Sequence, residues 1–157
     1  PIFSYNGWGD VLVIIFFGFV PVGGTYYVQA LTWTPDVTTA SIICGLLIDT
    51  LLVVNNYRDR EADARSGKRT VIVRFGEKFG RYFYLLLGIS ASLLCLYFLG
   101  EGHIYAALLP QLYLVPHVLT WRRMVKIHSG KKLNSILGET SRNMLFMGIL
   151  LAIGMIL

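Results

Sequence analysis

Apolar positions in this chain come in long runs, not in the alternating or three-four spacing of a soluble domain. Each run approaches the ~20 residues needed to cross a bilayer. Five helical spans are expected, at about 11–31, 37–56, 81–99, 104–121 and 143–157. The first, "VLVIIFFGFVPVGGTYYVQAL", contains Pro21 and the pair Gly23 and Gly24, so a kink is expected there. Gly88 and Ser92 in the third span, and Gly148 and Ala152 in the fifth, have the spacing that lets helix backbones approach. The fold class expected is all-α, a polytopic membrane helix bundle. Polar segments 57–80 and 122–142 remain as its two long loops.

Composition supports that reading. Of 157 residues, 55% are hydrophobic, and the mean hydropathy is +0.60. The net charge of +5 does not point to nucleic acid, because of where the charge lies. All 14 Lys and Arg fall in 57–81 or 122–142, while "TWTPD" and "GEGH" have none. By the positive-inside rule the basic loops are cytoplasmic and the C-terminus is outside. Trp8, Trp33 and Trp121 sit at expected span ends, as an aromatic belt requires. Cys44 and Cys95 lie within apolar runs and suggest neither a disulfide framework nor a zinc site. The chain opens on Pro1 with no signal-peptide pattern before its first apolar run, so a piece of a longer protein is expected.

The densest polar cluster is "VVNNYRDREADARSGKRT", where the second span leaves the membrane. If that helix continues, Asn56, Asp59 and Asp63 share a sector of about 60°. Two carboxylates four residues apart repel each other unless a cation lies between them. Oxygen donors without Cys or His favour Mg²⁺. Arg58, Lys68 and Arg69 add basic groups, and acids for Mg²⁺ beside basic side chains suit a diphosphate. An isolated D-x-x-x-D is usually solvated helix surface. Here it is joined by Asn55, Asn56, the Arg58–Asp59 neighbours and Gly-Lys-Arg-Thr at the mouth of a bundle.

The cluster "NNYRDREADARSGKRT" resembles the second aspartate-rich motif of the UbiA superfamily of intramembrane prenyltransferases. Its form is closest to the branch acting on 1,4-dihydroxy-2-naphthoate in menaquinone biosynthesis. "YNGWGDVLVIIFFGFVPVGGTYYVQ" and "GETSRNMLFMGILLAIGMIL" resemble that branch's fifth and last helices. The resemblance implies a nine-helix bundle of which this chain is helices five to nine. It implies a bacterial inner-membrane enzyme that releases diphosphate and CO₂. Asp59 and Asp63 are then the catalytic metal carboxylates with Asn56 assisting, and Lys68, Arg69 and Arg58 hold the diphosphate. The partners implied are polyprenyl diphosphate, an aromatic acceptor, membrane lipid and the N-terminal half of the protein. The family's first motif, N-D-x-x-D-x-x-x-D, is absent, so the chain alone is expected to be inactive.

Asn55, Asp49 and Asp10 are candidates for the substrate cavity. Asp49 lies at membrane depth, seven residues before Asn56, and either lines the cavity or pairs within the bundle. Asp10 either serves the site or caps the first helix. His117 reads as a packed, hydrogen-bonded histidine. Other readings of the chain are a UbiA-type enzyme for 4-hydroxybenzoate or homogentisate, and a non-enzymatic cation-binding membrane protein.

Overall fold

The longest element starts where the sequence sets Thr34 before Pro35. The Thr34 hydroxyl accepts the Val37 N–H at 3.3 Å, and Pro35 occupies the first turn, where its missing N–H costs nothing. The computed structural model describes residues 7–157, so Tyr5 and Asn6 lie outside the described residues. Its elements are α1 (Gly9–Ala30), α2 (Pro35–Arg65), α3 (Val71–Phe75) and α4 (Glu77–Gly100). They continue with α5 (Ile104–Leu108), α6 (Leu114–Ile127) and α7 (Asn134–Ile156). No strand occurs among the described residues.

Four helices are long and apolar enough to cross a membrane: α1, α2, α4 and the segment Lys131–Ile156. The expected span at 104–121 is not one of them. A 3₁₀ segment, Leu109–Tyr113, separates α5 from α6 at Pro110, which has no N–H to continue the helix. Gln111 repairs the break. Its amide donates to the carbonyls of Ser92 (2.8 Å) and Ala107 (2.9 Å) and accepts from the Ser92 hydroxyl (2.9 Å).

Two expected loops are largely helical. α2 continues nine residues past Asn56 because Arg, Glu and Ala there are good helix formers. α6 runs to Ile127, and α7 begins at Asn134, leaving only a short turn of the expected 122–142 loop. The turn falls at His128, with φ +66°, and Gly130, with φ +90°.

α1 widens to a π-type helix over Ile14–Gly23, the region where Pro21 was expected to disturb it. An α-helix would bond the Phe17 carbonyl through residue 21, and proline cannot do so. The Cys44 thiol donates to that carbonyl instead, at 3.7 Å. α1 lies close on α2 because both present glycine: a Cβ on Gly45 would come within 2.9 Å of the Ile14 backbone. Gly88 and Ser92 are buried as the spacing suggested. Gly148 is not: nothing lies within 4 Å of a Cβ placed there. In α7 it is Gly154 that meets the Ala106 backbone.

Both basic segments gather at one end of the bundle. Arg58 donates to Asn134 Oδ1 (3.0 Å), and Arg60 to the His128 carbonyl (2.9 Å). Beneath them pack Tyr57, Tyr84, Met124, Leu133 and Ile136, all fully buried.

Candidate functional site

The end of α2 determines the site's shape. Gly67 adopts φ +78°, a left-handed conformation that glycine tolerates and that ends the helix. The Lys68 N–H bonds the Asp63 carbonyl (2.9 Å), and the Gly67 N–H bonds that of Ala64 (3.3 Å). This is a Schellman cap, and it folds the chain back over the last turn. Lys68 therefore returns to Asp63, with Nζ 3.5 Å from Oδ2. Thr70 then caps α3 by accepting the Val73 N–H at 3.2 Å. Gly-Lys-Arg-Thr is thus a stop, a returning cation and a start.

Asp49, Asn56 and Asp63, spaced by seven, drift only about 20° per step and form one stripe along α2. Asp49 and Asn56 are buried, and Asp63 is largely so. Asp59 lies to the side of this stripe, with its side chain 39% exposed. Its carboxylate takes two hydrogen bonds from Arg58, at 2.7 and 2.8 Å, and Arg58 also donates to Asn55 Oδ1 at 2.7 Å. Asp59 lies beyond the apolar stretch of α2. The Arg58 hydrogen bonds hold its carboxyl below the ordinary value of 3.8, against a smaller opposing effect of burial, with Arg58 and Lys68 charges assisting.

A cavity of about 60 Å³ opens beside the stripe, lined by Asp10, Leu52, Asn56, Lys68 and Thr70 with Gly7 and Gly9. The start of α1 packs on α2 here: a Cβ on Gly9 would make an ordinary contact with Leu52, at 3.7 Å. Trp8 stands at the cap of α1 and makes no side-chain capping hydrogen bond. Below, a largely apolar groove of about 530 Å³ runs between α1, α2 and α7 past Phe17, Ile48, Leu51 and Leu137, with Asn55 at its margin. Arg69 faces a separate polar hollow with Trp8 and Arg74.

The sequence-derived residues therefore divide. Asp10, Asn56 and Lys68 share a cavity, with Asp63 reached through Lys68. Asp59, Arg58 and Asn55 form a second group on the adjacent face. No three His, Cys, Asp or Glu side chains cluster to hold a metal among the described residues. The donor set nevertheless fits Mg²⁺: Asp59 and Asp63 are hard oxygen donors one turn apart, and Asp63 Oδ2, though 3.5 Å from Lys68 Nζ, is buried with no hydrogen-bond partner among the described residues.

Arg60 was missed by sequence reasoning. It is buried, donates to the Tyr57 carbonyl (2.6 Å), Glu77 (3.1 Å) and the His128 carbonyl, and lies 4.4 Å from the Tyr57 ring. It ties the polar end of α2 to α4 and to the α6–α7 turn. Nothing in the order Arg58, Arg60, Arg65 separates the buried arginine from the others. His117 has both nitrogens engaged, with Tyr113 Oη and the Leu85 carbonyl each at 3.1 Å, between two tyrosine rings.

The sequence profile of the UbiA prenyltransferase family matches residues 1–156. The chain belongs to that family. Among UbiA relatives, the 1,4-dihydroxy-2-naphthoate octaprenyltransferase of Haemophilus influenzae is 42% identical over 93 residues, 59% of this chain and 30% of that protein. The 2-carboxy-1,4-naphthoquinone phytyltransferase of Synechocystis is 29% identical over 91 residues, 58% of this chain and 30% of that protein. The UbiA prenyltransferase domain-containing protein 1 of Dictyostelium discoideum is 29% identical over 154 residues, 98% of this chain but 46% of that protein. The matched stretch thus spans under half the length of these UbiA relatives. No solved structure matches the chain. UbiA membership and the four apolar helices together make this a multi-pass helical membrane protein.

Proposed function

We propose that the protein carrying this chain transfers a polyprenyl group from its diphosphate to 1,4-dihydroxy-2-naphthoate, releasing diphosphate and CO₂. The observation that supports this reading is a small polar cavity lined by Asp10, Asn56 and Lys68, with Lys68 3.5 Å from Asp63, which shares Leu52 with an adjacent apolar groove. A long isoprenoid is insoluble in water and suits the groove, while its diphosphate suits the basic end. The names of the bacterial relatives favour a naphthoate acceptor over 4-hydroxybenzoate or homogentisate.

In this reading Asp59 and Asp63 hold Mg²⁺, which supplies charge neutralisation as diphosphate leaves. Lys68, fixed by the Schellman cap, binds the remaining phosphate oxygens, and Arg69, in the neighbouring hollow, adds positive charge at that end. Arg58 orients Asp59. Asn55 and Asn56 offer polar contacts where the groove meets the cavity. The first aspartate-rich motif is supplied by an N-terminal half, and the chain alone is inactive. The bundle sits in the bacterial inner membrane with its basic end cytoplasmic.

The test uses membranes containing the natural protein that carries this chain. Mg²⁺, a polyprenyl diphosphate and dihydroxynaphthoate are added, and diphosphate and prenylated product are followed. Asp59→Asn and Asp63→Asn are each expected to lower turnover on the order of 100-fold. Undiminished turnover in both would falsify the metal assignment. Faster prenylation of 4-hydroxybenzoate than of dihydroxynaphthoate would overturn the acceptor.

A further inference from the structure

Two carboxyl groups meet inside the bundle, and among the described residues no salt bridge reaches either. Asp10, in the first turn of α1, adjoins Asp49 of α2. Asp49 is fully buried, and Asp10 is 6% exposed. Among the described residues, Asp10 Oδ1 and both Asp49 carboxyl oxygens have no hydrogen-bond partner. Adjoining carboxyls withdrawn from water do not both ionise, so the pair holds one proton between them and keeps one negative charge. Acids at this depth are costly and need a reason to be there.

The cavity supplies the reason. Asp10 forms part of its wall, and its volume of about 60 Å³ admits a hydroxyl group or a water but no aromatic ring. Among the described residues, the charged groups around Asp10 are Asp49 from α2 and Lys68 from the segment after α2, and Lys68 is itself tied to Asp63. Asn56 and Thr70 complete the polar lining. A hydroxyl entering here meets a carboxylate acceptor held in place on a helix.

We infer that Asp10 is the catalytic residue that takes the proton from the acceptor's ring hydroxyl, and that Asp49 is a positioning residue sharing the pair's resident proton. This rests on the prenyl-transfer reading above. As the allylic C–O bond breaks, its electron pair leaves with the diphosphate. A ring π pair then forms the new C–C bond. The hydroxyl's O–H pair becomes the second bond of a carbonyl, and its proton passes to Asp10. The pair now holds two protons and no charge. When the alkylated ring carbon releases hydrogen as a proton to water, or carboxylate as CO₂, the bond pair returns to the ring. The carbonyl oxygen takes a proton back from Asp10, and the aromatic hydroxyl is restored.

The experiment compares the wild type with Asp10→Asn, Asp10→Glu and Asp49→Asn in the natural protein carrying this chain. A wild type that prenylates no hydroxylated aromatic defeats the underlying reading, whatever the variants do. With wild-type turnover established, Asp10→Asn is expected to lower kcat about 100-fold or more, with KM for the polyprenyl diphosphate within about twofold. Asp10→Glu restores part of kcat. Asp49→Asn leaves a neutral side chain beside Asp10 but takes away the pair's shared proton, so kcat falls by less than in Asp10→Asn, with KM for the polyprenyl diphosphate within about twofold. A folded Asp10→Asn variant with kcat within threefold of wild type, or one altered only in KM, overturns the inference. If Asp10→Asn does not accumulate in membranes, Asp10→Ser takes its place with the same expected loss of kcat, and a folded Asp10→Ser variant with kcat within threefold of wild type overturns the inference.

Discussion

Arg58 and Arg60 are two residues apart, yet the structure gives them different work. Arg58 grips Asp59 and Asn55 in the open, so its loss should act on the titration of the site. Asp59 is held below its ordinary value and stays ionised as pH falls, so its contribution is lost only at the lowered value. Arg58→Gln lets the carboxyl rise, and the acid edge of Mg²⁺-dependent turnover should move to higher pH, read from a pH profile. Arg60 is buried and shared among Tyr57, Glu77 and His128, so its loss should act on stability. Arg60→Ala is expected to cost about 1.5–3 kcal/mol, visible as a lower melting temperature in detergent and faster amide exchange over 57–65. Gly88 belongs at this scale too, since the His117 ring occupies the space a Cβ would need. Gly88→Ala should destabilise by about 1–3 kcal/mol in the same melting assay. Sequence spacing pointed to Gly88 and to Lys68. It could not point to Arg60, whose burial depends on a turn 68 residues away.

Among the elements, α2 carries the most consequence. It was legible as a span because its apolar run is long, although Thr34 and Pro35 start it two residues before the expected position 37. Its polar extension was less legible, because charged residues serve equally well in a loop or on a helix projecting from the membrane. The stop is encoded in one residue, Gly67. Gly67→Ala places a Cβ at φ +78° and is expected to cost about 1 kcal/mol. The larger effect should be functional: Lys68 no longer returns to Asp63, so KM for the diphosphate donor rises more than kcat falls. Steady-state kinetics separate the two. The carboxylates also show what periodicity cannot tell. Asp49, Asn56 and Asp63 follow from spacing alone, but Asp10 joins them only because α1 packs closely on α2, where Gly18 and Gly45 leave no room for a Cβ.

For the whole molecule, the charge pattern yields a topology that can be tested directly. Arg58 with Asn134 and Arg60 with His128 place both basic segments at one end. Glu101, His103 and the Asp36–Tyr97 hydrogen bond lie at the α4–α5 and α2 ends opposite. Single cysteines introduced as Ser129→Cys and Gly102→Cys, in a background with Cys44 and Cys95 replaced, should label from opposite faces of the membrane with an impermeant maleimide. Labelling of both from the same face would overturn the positive-inside orientation. The helical bundle itself was written in the hydropathy. The interruption at Pro110 was harder to see, because a proline in an apolar run is tolerated or not according to what stands beside it.

That interruption bears on how the chain enters the bilayer. The segment 104–127 carries a gap in its own backbone bonding, and part of the repair is the Ser92 carbonyl and hydroxyl, on the preceding helix. Released alone into lipid, it would meet hydrocarbon with polar backbone uncovered. It is therefore built to leave the insertion machinery as one arm of a hairpin with α4, so the order of synthesis is also an order of assembly.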